Sequence, residues 1–207
     1  MGVYSELIAE SVRFVQFCKI KNVLKEKMKY VVVAKYQEDV SWTESLENVH
    51  VYNKGPGGAY DNVGREAETF ARFLVDHYDA IHPEDTVYFL QGNPFDHCPD
   101  VYEYVHSDIT EVTPLGIMHR CDDHGRPEHG GFLPVRHVHT QFQQLGIVDD
   151  HPGPWWDFVA GAQYAVPGHV IVSKPRATYA TLHELLMTAK VCPWTMERLW
   201  PAVFQQT

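Results

Sequence analysis

The stretch KYVVVAKYQED, residues 29–39, decides the fold class of this chain. Its apolar part, Tyr30–Ala34, is short and rich in β-branched valine, which predicts a buried central strand. The polar residues Lys35, Tyr36 and Glu38 follow directly. Ligands of α/β proteins bind at the carboxyl ends of such strands, so Tyr36 is a candidate for stacking on a base and Glu38 for bonding a base N–H or a ribose hydroxyl. The alternative is an ordinary polar turn.

Three further segments extend this pattern along the chain. A second strand is predicted at NVHVYNKG (48–55), a helix at NVGREAETFARFLVDHYDAI (62–81) and a third strand at DTVYFLQG (85–92). This order predicts an alternating α/β fold, with a central, mostly parallel but mixed β-sheet flanked by helices. We expect an N-terminal helix over 1–28 and a single domain over 29–207.

The third strand ends in unusual polar residues. Gln91 and Gly92 come first, and Asp96 and His97 follow a few positions later. A carboxylate and an imidazole at a strand end can hold a divalent ion that bridges phosphates; Mn²⁺ accepts both donors, whereas Mg²⁺ prefers oxygen. The alternative is that Asp96 caps a turn and His97 bonds to the backbone.

The start of the predicted helix also suggests an anionic ligand. Asn62 is a candidate helix cap, and Gly64 allows close backbone approach. Arg65 lies in the first turn, where a cation opposes the helix dipole. It is therefore a candidate for binding an anion such as a diphosphate. Equally, it can be a solvated arginine paired with a glutamate.

Two carboxylates late in the chain are candidate catalytic residues. Asp157 lies among aromatic residues in WWDFVAGAQYAV (155–166), and the alternative is a cap at a strand end. Glu197 adjoins Arg198 on a predicted helix, where neighbours point to different sides. The alternative is that Glu197 and Arg198 each form a surface salt bridge with a separate partner.

Metal-binding residue types are dense in the middle of the chain: His119, Cys121, His124, His129, His137 and His139. No pair has the HExxH or CxxC spacing that makes a zinc assignment strong. On a strand, His137 and His139 would share one face. The alternative is a polar loop with one or two buried histidines.

Composition narrows the class of protein. The chain has 207 residues and a formal net charge of −10, which argues against a nucleic-acid partner. Its four cysteines form no CxxC pair, so we expect reduced thiols and a cytoplasmic location. The N-terminus does not have the pattern of a signal peptide, and no stretch approaches the roughly 20 apolar residues of a membrane span.

Seven stretches taken together resemble a known family. They are VVVAKYQEDVSW, VYNKG, NVGREAETF, FLQGNPFDH, GAQYAV, SKPRATYATL and ERLWPAVF, in this order between about Tyr30 and Phe204. They resemble an uncharacterised domain family of fungi and large DNA viruses, which includes the N-terminal glycosyltransferase domain of a chlorella virus protein that glycosylates the capsid.

The resemblance implies a GT-A fold and transfer of a sugar from a nucleotide-sugar, typically a UDP-sugar, with Mn²⁺ or Mg²⁺. The acceptor would be a glycan, on a viral capsid glycoprotein in the host cytoplasm if the chain is virus-encoded. The implied metal ligands are Asp96 and His97, with His137 or His139 as additions, because QGNPFDH stands where such enzymes carry DxD. The implied nucleotide-sugar ligands are Ala34, Tyr36, Glu38, Asn62, Arg65, Gln91 and Gly92.

The residues leave two other functions open. One is a metal-dependent hydrolase that uses the histidine-rich region. The other is a non-catalytic module that binds a nucleotide or a sugar. In the transferase hypothesis, Asp157 is the first candidate for the carboxylate near the anomeric carbon and Glu197 is the second.

Overall fold

The structure is a computed structural model and describes residues 27–127, 131–149 and 153–205. The helix predicted over 1–28 therefore falls almost entirely outside the described residues. The strands are β1 Lys29–Lys35, β2 Val49–Asn53, β3 Thr86–Gln91, β4 Thr113–Pro114, β5 Met118–Cys121, β6 Trp156–Val159 and β7 Tyr164–Pro167. The α-helices are α1 Arg65–His77, α2 Val101–His106, α3 Val135–Gln144, α4 Gly168–Val172, α5 Arg176–Met187 and α6 Pro193–Val203.

The main sheet has five strands in the order β2-β1-β3-β7-β4. β1 pairs in parallel with β2 and β3, whereas β7 pairs antiparallel with β3 and β4. β5 and β6 form a separate antiparallel pair. The predicted α/β class, with a mixed sheet flanked by helices, is confirmed.

Strand β1 is buried on both faces, as its unbroken apolar run predicts. Val32 belongs to the larger core cluster, together with residues of α1, α5 and α6. Val31 and Val33 belong to a second cluster that includes Val101 and Val105 of α2. Alternate side chains of one strand thus enter two different cores, because successive residues point to opposite faces.

Aromatic stacking fixes the last helix against the middle of the sheet. The rings of Phe89 on β3 and Trp200 on α6 have centroids 6.4 Å apart and planes 15° apart. Phe204 stacks on both rings, 5.7 Å from Phe89 and 5.0 Å from Trp200. Such ring pairs add to the stabilisation that burial provides. As a result, the residues of α6 have fixed positions relative to β3.

The parallel strands bring their carboxyl ends to one edge of the sheet. Lys35 of β1 is in register with Asn53 of β2, and Ala34 is in register with Gln91 of β3. Chain segments that follow these three strands therefore begin side by side. Within the described residues, no helix combines the length and the apolar character that crossing a membrane requires.

Candidate functional site

A cavity of about 420 Å³ opens at the edge where β1, β2 and β3 end. It is lined by Ala34, Lys35, Tyr36, Glu38, Lys54, Asn62, Arg65, Glu66 and Gln91. Six of the seven residues that the sequence suggests as nucleotide-sugar ligands are among them. The seventh, Gly92, is the residue after Gln91 and packs against Glu38. Residues from four separate segments of the sequence therefore meet at one site.

Gly92 allows the loop after β1 to close against the end of β3. A Cβ at this position would lie 2.6 Å from Oε2 of Glu38, so any larger residue would displace the Glu38 carboxylate. Trp42 of the same loop donates its indole N–H to the carbonyl oxygen of Gly92 at 2.8 Å. Gly92 is a predicted ligand, and the contacts that it makes in the structure are with Glu38 and Trp42 of the loop beside the cavity.

Glu38 is partly used by its own loop. Its Oε2 accepts hydrogen bonds from the backbone N–H groups of Tyr36 at 2.6 Å and Gln37 at 3.0 Å. The other oxygen, Oε1, takes part in neither bond. Tyr36 is 44% exposed, so its ring is accessible to a planar ligand.

Behind the cavity, Lys54 carries a buried positive charge. Its side chain is 3% exposed, and the ammonium group donates to the carbonyl oxygens of Val63 at 2.6 Å and Arg65 at 2.8 Å and to Oε2 of Glu68 at 2.7 Å. An ammonium group has three N–H donors, so all of them are used. Burial lowers the pKa of Lys54.

Glu68 is the buried counter-ion of this network. Besides Lys54, it accepts hydrogen bonds at Oε1 from Arg72 at 2.7 Å and from His183 at 2.8 Å. Burial by itself raises the pKa of Glu68, but the three partners outweigh it and hold the pKa below its ordinary value. The network joins β2, α1 and α5 beneath the cavity floor.

The turn into α1 is strained, and Lys54 holds it in place. Gly64 and Arg65 both have left-handed backbone conformations, with φ of 65° and 51°. For a non-glycine residue this costs about 1–2 kcal/mol. The expectation that Asn62 caps this helix is wrong: Gly64 occupies the N-cap without a side-chain bond, and Asn62 lines the cavity instead.

The side chain of Arg65 reaches the cavity rim. It is 51% exposed, and its guanidinium carbon lies 5.4 Å from the centroid of the Trp194 ring. Its Nε lies 3.6 Å from Oε2 of Glu66, longer than a hydrogen bond. The charge therefore remains accessible to an anion in the cavity.

Glu66 is a cavity residue that the sequence prediction missed. Its side chain is only 13% exposed, and burial raises the pKa of its carboxyl group. Its own backbone N–H and the charges of Arg65 and Lys54 oppose this effect without cancelling it, and the negative charge of Glu197 adds to it. In the sequence it is an acidic residue in a first helical turn, where such residues are common, so no signal marks its burial.

Glu197 connects α6 to the edge of the cavity. Its Oε1 accepts the N–H of Gly161 at 2.7 Å, and its Oε2 pairs with the guanidinium of Arg198. The expectation that these adjacent residues pair with other partners at the surface is wrong: Arg198 is 4% exposed and lies over the Phe158 ring. Both oxygens of Glu197 are therefore engaged, Oε1 with Gly161 and Oε2 with Arg198.

Gly161 joins Glu197 to the end of β3. Its φ is 78°, and a Cβ here would lie 2.7 Å from Cδ2 of His97 and 3.1 Å from the carboxamide of Gln91. Gln91 lines the cavity. His97 and the cavity residue Gln91 therefore both lie close to Gly161.

The structure does not bring Asp157 to the cavity. Asp157 lies on β6 and forms a two-pronged ion pair with Arg120 of β5, at 2.5 and 2.7 Å. Both side chains are about half exposed or more, at 49% and 62%. Its predicted catalytic role therefore has no geometric support in this arrangement.

Asp96 and His97 are adjacent donors at a surface turn. Asp96 is exposed and ends the short 3₁₀ helix Pro94–Asp96, and His97 is half-buried. In the parts of the chain that the structure describes, three or more histidine, cysteine or acidic side chains do not gather into a metal-binding group. A carboxylate and an imidazole suit Mn²⁺ better than Mg²⁺, with the other ligands taken from water and phosphate.

The expectation that His137 and His139 share a face is wrong. They lie on helix α3 rather than on a strand, and residues two apart on a helix point to different sides. His137 is exposed, whereas His139 is 1% exposed and packs 4.9 Å from the Trp156 ring. They do not form the joint metal site that their spacing suggested.

Comparison with family models, curated proteins and solved structures finds no match to this chain. The function is therefore inferred from the cavity, its lining and its charges.

Proposed function

We propose that this chain is a GT-A-type glycosyltransferase that transfers a sugar from a nucleotide-sugar, first of all a UDP-sugar, to a glycan acceptor. The observation that carries this proposal is that six of the seven residues suggested as donor ligands line one cavity. That cavity lies at the carboxyl edge of parallel strands, where α/β proteins bind nucleotides.

The lining suits the parts of a nucleotide-sugar. Tyr36 offers a ring for the base, and Glu38 keeps one carboxylate oxygen for a base N–H or a ribose hydroxyl. Lys35 and Arg65 supply positive charge for a diphosphate in a chain whose net charge is −10. Basic groups at the cavity therefore select a local anionic ligand even though the whole protein is acidic.

The chemistry follows from the leaving group. Transfer breaks the bond between the anomeric carbon and the diphosphate, whose charge grows as the bond breaks. Arg65 stabilises this charge by position, because a preorganised cation costs no reorganisation during the reaction. Asp96 and His97 would hold a divalent ion, which supplies further charge neutralisation when bound.

A second candidate is a non-catalytic nucleotide-sugar-binding module. One observation favours it: each predicted catalytic carboxylate is already engaged, Asp157 with Arg120 and Glu197 with Gly161 and Arg198. The hydrolase alternative has no support from the placement of His137 and His139.

Thermal shift with UDP, GDP and CMP, each with and without Mn²⁺, tests the proposal. We expect one nucleotide, UDP first, to raise the Tm, and to do so more with Mn²⁺. Arg65→Met should reduce the shift, whereas Arg126→Met, at an exposed arginine of a distant loop, should leave it unchanged. If the protein retains zinc through purification and no nucleotide changes its Tm, the proposal is refuted.

Calorimetry tests the metal ligands and a turnover assay separates enzyme from module. Asp96→Ala should abolish the Mn²⁺-dependent part of UDP binding, and unchanged binding would reject Asp96 as a ligand. A screen of nucleotide-sugars for hydrolysis or transfer should reveal a donor. Tight metal-dependent binding with no turnover of any donor favours the binding module.

A further inference from the structure

Glu66 is a carboxyl group that faces the cavity with little compensation for its charge. It lines the cavity and is 13% exposed. Its charge is offset by its own backbone N–H, by Arg65, whose Nε is 3.6 Å away, and to a smaller extent by the charge of Lys54. Arg65 is itself half exposed and leans towards Trp194, so it offsets the charge of Glu66 only in part.

The other charged groups around Glu66 do not supply the missing partner. Lys54, after β2, uses its three N–H donors on Val63, Arg65 and Glu68, so it gives Glu66 no hydrogen bond and favours its ionisation only through its charge. Glu197 of α6 brings a negative charge, which further disfavours ionisation of Glu66.

The remaining charged residues of the cavity are Lys35 and Glu38, which lie on its β1 side. Neither is among the charges that shift the pKa of Glu66. Burial in such surroundings favours the protonated form of the carboxyl group, and a protonated carboxyl group is a hydrogen-bond donor.

We propose that Glu66 enters the binding reaction as a neutral carboxylic acid that donates its O–H to an oxygen of the ligand's diphosphate. The inference rests on the proposed function and adds a donor that the sequence did not indicate. An ionised carboxylate would repel the diphosphate beside Arg65. The protonated group instead adds a hydrogen bond to an anionic oxygen, and such bonds are stronger than neutral ones.

A consequence is that the ligand and a proton bind together. Where Glu66 is ionised in the free protein, each bound diphosphate must draw one proton from solution. The dissociation constant then rises with pH, up to about tenfold per pH unit. Replacing Glu66 by glutamine keeps the shape and a neutral N–H donor but removes the titration.

Calorimetry with UDP on the full chain tests this, in two buffers of different ionisation enthalpy, at intervals from about pH 5 to about pH 8. The wild type should take up protons and bind more weakly as the pH rises. Glu66→Gln should bind at least as tightly at the upper end and show a smaller pH dependence. Glu184→Gln, at an exposed position of α5, should behave as the wild type.

The terminal phosphate of UDP also titrates in this pH range, with a second pKa of about 6. This titration contributes equally to every variant. The difference in pH dependence between the wild type and Glu66→Gln therefore reports the Glu66 carboxyl group alone. A tenfold or greater loss of affinity in Glu66→Gln at all pH values overturns the inference, because it means that the carboxylate itself binds the ligand or a metal. Equal pH dependence in the two proteins overturns it as well. Absence of UDP binding at every pH, with or without Mn²⁺, overturns the proposed function too.

Discussion

Lys54→Met tests whether the buried ammonium group holds the cavity floor. Methionine fills most of the same space with a flexible apolar chain and carries no charge. The substitution removes one hydrogen bond to Glu68 and two to the carbonyl oxygens of Val63 and Arg65.

The expected loss follows from these three bonds. Removing one partner of a buried ion pair costs about 3–5 kcal/mol. Glu68 keeps its bonds from Arg72 and His183, so its charge stays compensated and the loss lies at the lower end. The two carbonyl oxygens lose a charged donor at about 1 kcal/mol or more each. Together these give about 5 kcal/mol.

Urea unfolding followed by circular dichroism at neutral pH measures this loss. Lys190→Met is the matched control, because Lys190 is exposed and the same charge is removed. The control should stay within about 0.5 kcal/mol of the wild type. Lys54→Met should shift the midpoint without a change in slope, since the unfolded surface is the same. A loss below about 1 kcal/mol would refute the view that Lys54 is the central tie of this network.

Three further predictions address strain, the exposed ion pair and pH. Gly161→Ala should lower the free energy of unfolding in urea by about 1–3 kcal/mol, because Gly161 has a positive φ. Gly153→Ala, where a Cβ meets open space, should not lower it. Equal effects of the two substitutions would contradict the strain at Gly161. Asp157→Asn should lower the free energy of unfolding by less than about 1 kcal/mol, since the ion pair of Asp157 with Arg120 is exposed. The variant should also retain turnover, and a folded variant without turnover would support a catalytic role of Asp157. The pKa of Glu66 is raised on folding, so its contribution to stability is present at low pH and is lost as the pH rises through the folded pKa. Glu66→Gln should therefore be more stable than the wild type at about pH 8 and equal to it below about pH 4, whereas a constant difference would contradict this.

The sequence by itself determined the sheet and the place of the cavity. The run Tyr30–Ala34 has no polar interruption, so it predicts a strand buried on both faces, and β1 is such a strand. Parallel strands end at one edge, so polar residues after β1, β2 and β3 must meet there. This local logic selected Tyr36, Glu38 and Arg65, which line one cavity, and the family resemblance added Ala34.

Only the tertiary structure decided which charges are buried and which are paired. Lys54 and Glu66 look like ordinary surface residues in the sequence, because burial depends on elements far along the chain. His137 and His139 were misassigned because two-residue spacing means one face on a strand and two sides on a helix. Asp157 stands opposite Arg120 because of the pairing of β5 with β6, which the sequence does not display. The charge state of the cavity thus follows from packing between distant segments, whereas its location follows from the local pattern.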